Sequence, residues 1–131
     1  MGLFDAIGIA GSGLTVHRKW LDALSDNIAN ADDVTATSDG AFRERYVVAQ
    51  EMAGGGVQVA GVVLGDADGR VVQDPSNPLA DADGYVRQAD VDLTSQMTQL
   101  ILAQRGYQAN AAVVDRAKES YQAALQIGRT S

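Results

Sequence analysis

His17 is the only histidine in the chain, and there is no cysteine. Without a thiol there is no thiolate nucleophile, no disulfide and no sulfur metal site, and either redox compartment is tolerated. One imidazole beside Arg18 and Lys19 lacks both a nucleophile to activate and a second histidine for zinc. His17 therefore reads as a packed or interface side chain. Gly11-Ser12-Gly13 sets the glycines directly against the serine, whereas a nucleophile elbow places them two residues away. Gly8-Ile9-Ala10-Gly11-Ser12-Gly13 has the look of a phosphate loop, but no strand precedes it and no Gly-Lys-Ser/Thr follows. Asp66-Ala67-Asp68-Gly69 and Asp81-Ala82-Asp83-Gly84 hint at calcium loops. Each lacks the third ligand position and the distal glutamate of an EF-hand, so both read as Asp-Gly turns. No enzyme activity, cofactor or metal ligand is expected from these residues.

What remains is amide chemistry. Gln96, Gln99, Gln104, Gln108, Gln122 and Gln126 crowd the last third of the chain, and Asn27, Asn30 and Asn110 lie near apolar repeats. Buried amides specify register between packed helices. Exposed amides make a surface that neither holds nor repels a passing polypeptide.

Two helices must carry these amides. From Leu93, apolar or small residues recur in steps of four and three: Leu93, Met97, Leu100, Gln104, Tyr107, Ala111, Val114, Lys118, Tyr121, Leu125, Gly128. Only Gln104 and Lys118 interrupt this heptad seam, and no proline breaks it. At ~1.5 Å per residue the helix is roughly 55 Å long, more than a small domain can enclose. A second seam runs through Leu3, Ile7, Ala10, Leu14, His17, Leu21, Leu24 and Ile28. Gly8, Gly11 and Gly13 each cost ~1 kcal/mol in a helix interior, so a firm helix is expected from about Leu14 and a frayed or partner-dependent one before it. Asp90 or Asp92 can cap the second helix.

Between them lie two extended runs, Ala41–Gln50 and Val57–Leu64, separated by Gly54-Gly55-Gly56 as in a hairpin, and a shorter strand over Arg70–Gln73. Pro75 and Pro78 make Asp74–Leu79 an extended connector, and Ala80–Val86 reads as a turn. The expected fold is mainly α with a small β-rich middle: residues 1–33 and 90–131 form a discontinuous core of two long helices paired as an antiparallel coiled coil, and residues 34–89 a small irregular segment.

Of 131 residues, 46% are hydrophobic and the net charge is −7. Twelve of the 17 acids fall in residues 32–92, against four arginines, so the middle is solvated and the ends are packed. No cationic cluster exists to bind nucleic acid. No stretch reaches the ~20 apolar residues of a membrane span, so no direct membrane insertion is expected. The opening MGLFDAIGIAGSGL has no basic n-region and does not read as a secretory signal. On these grounds alone a generic coiled-coil adaptor, or less favourably a small metal-binding domain, stays open beside a polymerising subunit.

Three stretches in order carry a resemblance. Ser25-Asp26-Asn27-Ile28-Ala29-Asn30-Ala31-Asp32 resembles the "SNIAN" signature of bacterial flagellar axial proteins, the group of rod, hook and hook-associated subunits. Gln104-Arg105-Gly106-Tyr107-Gln108-Ala109-Asn110 resembles their "QRAYQAN" signature, with Gly106 in place of alanine or serine and expected to soften the helix. Asp74–Asp81 with Gly84-Tyr85-Val86 is similar to a run typical of proximal-rod members.

The resemblance implies a structural subunit of the flagellar basal-body proximal rod, polymerising into a hollow helical drive shaft that transmits torque and encloses the export channel. It implies copies of itself, other proximal and distal rod proteins, the adaptor between rod and MS ring, and the flagellar type III export apparatus as partners. The location implied is the rod in the periplasm, reached without a cleaved signal peptide. The expected subunit or helix interface is Leu14, Leu21, Leu24, Asn27, Ile28, Asn30, Met97, Leu100, Tyr107, Gln108, Asn110, Val114, Tyr121 and Leu125; Gln96, Gln99, Gln104, Gln122 and Gln126 are expected to face the channel. Until assembly the termini are expected to be largely disordered.

Overall fold

The computed structural model describes residues 2–131. Helix α1 spans Leu3–Ala29, strands β1 to β5 span Val34–Thr35, Arg45–Glu51, Val57–Leu64, Arg70–Gln73 and Tyr85–Gln88, and helix α2 spans Leu93–Thr130. Two long helices thus flank a small antiparallel-strand middle. The helices run antiparallel: Phe4 meets Tyr121 edge-on with ring centroids 5.5 Å apart, and Asn27 bonds Gln96 at the opposite end.

Both helix starts are capped by aspartate, which satisfies otherwise orphaned N–H groups. The Asp5 carboxylate accepts from the Gly2 N–H at 3.0 Å. Asp92 accepts from the N–H groups of Thr94 and Ser95 at 3.1 and 3.4 Å. α1 is helical from Leu3, through the glycine-rich stretch expected to be frayed or dependent on a partner. Tertiary contacts outweigh the propensity cost: the β2–β3 hairpin lies along α1, and the Ser12 hydroxyl accepts from the Val57 N–H at 3.1 Å.

The hairpin pairs Arg45 with Leu64 through to Glu51 with Val57, with a register shift between Val48 and Ala49. Its turn places Gly54, Gly55 and Gly56 at φ of 91°, 104° and 96°, a left-handed run that only glycine adopts freely. A side chain at Gly56 would lie 2.8 Å from the Ser12 Oγ, so the same glycines let the turn rest on α1.

The second sheet has the order β1-β5-β4, antiparallel throughout. Its central strand, Tyr85–Gln88, begins with Tyr85 and Val86, which the sequence places at the end of a turn. Asp81 closes the real turn earlier, its Oδ1 accepting from the N–H groups of Asp83 and Tyr85 at 3.0 and 2.9 Å. The backbone N–H of Tyr85, the Thr37 hydroxyl and the N–H groups of Asp83 and Gly84 hold the Asp81 carboxyl below the usual carboxylate range. The proline segment is likewise not an extended lead into α2: the Asp74 N–H bonds the Gly84 carbonyl at 2.9 Å, making it a folded β4–β5 connection. β2 begins only at Arg45, because the Ala41 N–H bonds the Ala67 carbonyl instead of a partner strand.

The core is thin and, Leu24 apart, made of alanine and valine. Ala31, Ala89 and Val91 bury themselves with Phe42 where the helices meet the second sheet.

Candidate assembly interface

Midway along the helix pair, two side chains enter two glycine holes. An ideal Cβ at Gly106 would stand 2.2 Å from the His17 Nε2, and one at Gly13 would stand 2.8 Å from the Asn110 Nδ2. His17 from α1 therefore seats on Gly106 of α2, and Asn110 from α2 seats on Gly13 of α1, a reciprocal knobs-into-holes arrangement. The His17 Nδ1 lies 2.8 Å from the Gly13 carbonyl, which can only accept, so Nδ1 is assigned as the protonated nitrogen. Asn110 donates to the Gly106 carbonyl at 3.0 Å. Gly106, expected to soften α2, instead admits the His17 ring, and α2 continues through it.

At the other end sits a buried polar hub. Asn27 and Gln96 are 1% and 2% exposed. Asn27 Oδ1 accepts from the Arg45 N–H at 2.8 Å, while its Nδ2 donates to the Arg45 carbonyl at 3.0 Å and to Gln96 Oε1 at 2.9 Å. Gln96 Nε2 donates to the Glu44 carboxylate, whose other oxygen accepts from the Tyr46 hydroxyl at 2.6 Å. Three elements, α1, β2 and α2, are thereby joined with every amide atom satisfied, the condition under which a buried network rigidifies rather than destabilises. The Glu44 hydrogen bond, then burial, then the negative charges of Glu44 and Asp90 push the Tyr46 phenol up to about 12. Arg45 closes the hub from outside with an exposed ion pair to Asp26.

The seam that α2 turns toward α1 differs from the one counted in the sequence. Gln96, Ala103 and Ala117 are buried, and Gly106 and Asn110 hold the contacts between them. Each lies one position before a residue of the expected seam, Met97, Gln104, Tyr107, Ala111 or Lys118. Small side chains let the helices approach closely enough for the two sockets, which a large residue would prevent. Gln96, Ala103, Asn110 and Ala117 recur every seven residues, a signal hidden by counting only large apolar side chains. Gly13 and the His17–Gly106 contact are hidden by the same counting, and Glu44 by the long sequence separation from Gln96.

Of the expected interface residues, Leu24 and Asn27 are buried and Leu14, Leu21, Ile28, Asn30, Leu100, Asn110 and Val114 partly buried. Asn30 spends its Nδ2 on the Asp26 carbonyl of its own helix at 2.8 Å. Met97, Tyr107, Tyr121 and Leu125 are 50, 37, 41 and 50% exposed, and Gln108 is exposed as well. Among the amides expected to face a channel, Gln104, Gln122 and Gln126 are exposed and Gln99 is partly buried, donating to the Ser95 Oγ at 3.2 Å. Gln96 cannot line a channel, because it is enclosed within the subunit by the hub.

Residues 82–127 match the family described as flagellar basal body rod FlgEFG protein, C-terminal. The chain is 39% identical to the flagellar basal-body rod protein FlgC of Salmonella typhimurium, over 98% of this chain and 100% of that protein. It is 40% identical to FlgC of Yersinia enterocolitica and 30% identical to FlgC of Bacillus subtilis, each over 98% of this chain and 100% of the relative.

Proposed function

Since the chain belongs to the family of the flagellar basal-body rod protein FlgC, and is thus a structural subunit of the basal-body rod, we propose that it assembles through the side of α2 left bare by its own fold. The observation that carries this is the rotation of the seam. α1 covers a stripe of small residues and leaves Met97, Tyr107, Tyr121 and Leu125 exposed along a helix about 57 Å long. Such a patch on a soluble subunit marks an interaction surface. When the facing surface lies elsewhere on the same molecule the contacts do not close, and a helical tube results.

In this reading residues 1–33 and 90–131 are the assembly core, Met1 lying outside the described residues, and residues 34–89 decorate it. Close packing between helices resists torsion, which suits a shaft that transmits torque. The neighbours are copies of the chain, other proximal and distal rod proteins and the adaptor to the MS ring. The flagellar type III apparatus delivers the subunit to the periplasmic rod; no helix among the described residues is long and apolar enough to cross a membrane. Gln99, Gln104, Gln122 and Gln126 are the amides assigned to the channel. Asn30 and Gln108 are assigned to contacts between subunits, so Asn30→Ala impairs swimming, and full motility of that variant contradicts the assignment. Deleting the gene and viewing basal bodies by electron microscopy tests the role: rods are lost, whereas intact flagella would refute it.

A further inference from the structure

The first turns of α1 bury little of themselves. Of residues 3–12 only Ala10 is buried, while Gly13, Val16, Ala23, Leu24 and Asn27 are buried further along. Gly8 and Gly11 weaken the helix here, yet nothing lies within 4 Å of a Cβ at either position. Packing within the subunit thus does not require glycine there, in contrast to Gly13, whose missing side chain makes room for Asn110. A stretch of this kind frays from its free end unless tertiary contacts hold it.

On the α2 side Phe4 meets Tyr121 edge-on but stays 69% exposed. Firmer contacts lie on the other side, at the β2–β3 turn. The Ser12 hydroxyl donates to the Ile9 carbonyl at 2.6 Å and accepts from the Val57 N–H at 3.1 Å, tying α1 to the first residue of β3. A Cβ on Gly55 would stand 3.2 Å from the Ile9 Cδ1, and one on Gly56 2.8 Å from the Ser12 Oγ, so the turn reaches α1 only because it carries no side chains. The rest of the contact is loose: an open groove of about 280 Å³ is lined by Phe4, Gly8 and Ile9 of α1 and by Met52, Gly54 and Gly55 of the hairpin.

We propose that the Gly54–Gly56 turn is a clamp that sets where α1 begins. Engaged, it holds α1 helical from Leu3. Released, it lets about three turns of α1 go to coil, and the helix starts near Gly13, where the Asn110 socket fixes it from α2. With Gly13 level with Asn110, Ala6 lies level with Ala117 one heptad further out. Release therefore uncovers Ala117, which is only 8% exposed, together with Tyr121. The hairpin governs whether this end of α2 is paired within its own chain or open to another. That use rests on the chain's being an assembling rod subunit, whereas the switch itself is a property of one chain.

Amide hydrogen exchange, read residue by residue by NMR on the dilute whole chain, tests the clamp. Ser12→Ala leaves the turn intact and removes only the hydroxyl. Alanine is the better helix former, so a rise of about threefold in exchange over Ile7–Gly13 reports the lost tie to Val57, while the amides of Asn27 and Gln96 keep their rates. Gly56→Ala sets a methyl against Ser12 in a left-handed turn and raises exchange over Ile7–Gly13 by about tenfold. Adding Gly8→Ala and Gly11→Ala to the Ser12→Ala chain lowers it again by about tenfold, because helix propensity then replaces the clamp. Unchanged exchange over Ile7–Gly13 in the Ser12→Ala chain, or an equal rise at Asn27 and Gln96, overturns the proposal. Intact rods in the deletion strain would refute the rod role itself, an outcome independent of the exchange result.

Discussion

Gly106 and Gly8 are both helical glycines, yet they answer opposite demands. At Gly106 a Cβ would collide with the His17 ring at 2.2 Å, whereas at Gly8 nothing lies within 4 Å. Gly106→Ala should therefore destabilise by about 1–3 kcal/mol despite alanine's better propensity, because overpacking forces the ring out. Gly8→Ala should stabilise by up to ~1 kcal/mol. Denaturant unfolding of the two variants checks the pair, and equal effects would remove the socket. Asn27→Ala leaves the Arg45 peptide and Gln96 unsatisfied in the interior and should cost about 2–3 kcal/mol by the same measurement. Tyr46 supplies a pH signature. Its folded pKa of about 12 lies above the ordinary 10.0, so its contribution is complete below pH 10 and is lost as pH rises through 12. Ultraviolet titration should show one tyrosine ionising late, and Glu44→Gln should bring it down; four coincident transitions would contradict the hub. In the sequence Asn27 was legible through its motif. Glu44 was not, because nothing local to β2 marks a carboxylate that meets a glutamine 52 residues away.

At the scale of elements, the two helices, the hairpin strands and β4 follow from periodicity and from the glycine run at the turn. β5 was hidden because its four residues gain strand character only by lying between β1 and β4, a non-local pairing that no short window contains. The seam of α2 was misplaced by one residue for a related reason. Hydrophobic counting finds the larger apolar stripe, of which Met97, Tyr107 and Leu125 here stay exposed while the residues one position before carry the contact with α1. α2 is accordingly uneven: it buries Gln96, Ala103 and Ala117 but nothing beyond. Of the termini expected to be disordered in the free subunit, the last turns of α2 have the fewest contacts to hold them. Hydrogen exchange of dilute protein should be fastest from 118 to 130 and slowest around Asn27 and Gln96, while uniform protection along α2 would contradict this.

At the scale of the molecule, thin packing is the functional feature. A chain whose enclosed core centres on Ala31, Ala89 and Val91 leaves many of its large apolar side chains exposed, Met97, Ile101, Val113 and Leu125 among them. That surplus is a liability for a lone protein and the means of assembly for a rod subunit. The polar hub and the two sockets fix how α2 is rotated, and in the proposed assembly that rotation decides which stripe meets neighbours. Direct observation comes from an electron cryomicroscopy map of intact basal bodies at side-chain resolution. Met97, Tyr107, Tyr121 and Leu125 should be buried against adjacent subunits, with Gln96 enclosed within its own. The same four side chains facing solvent or the open lumen would contradict the account.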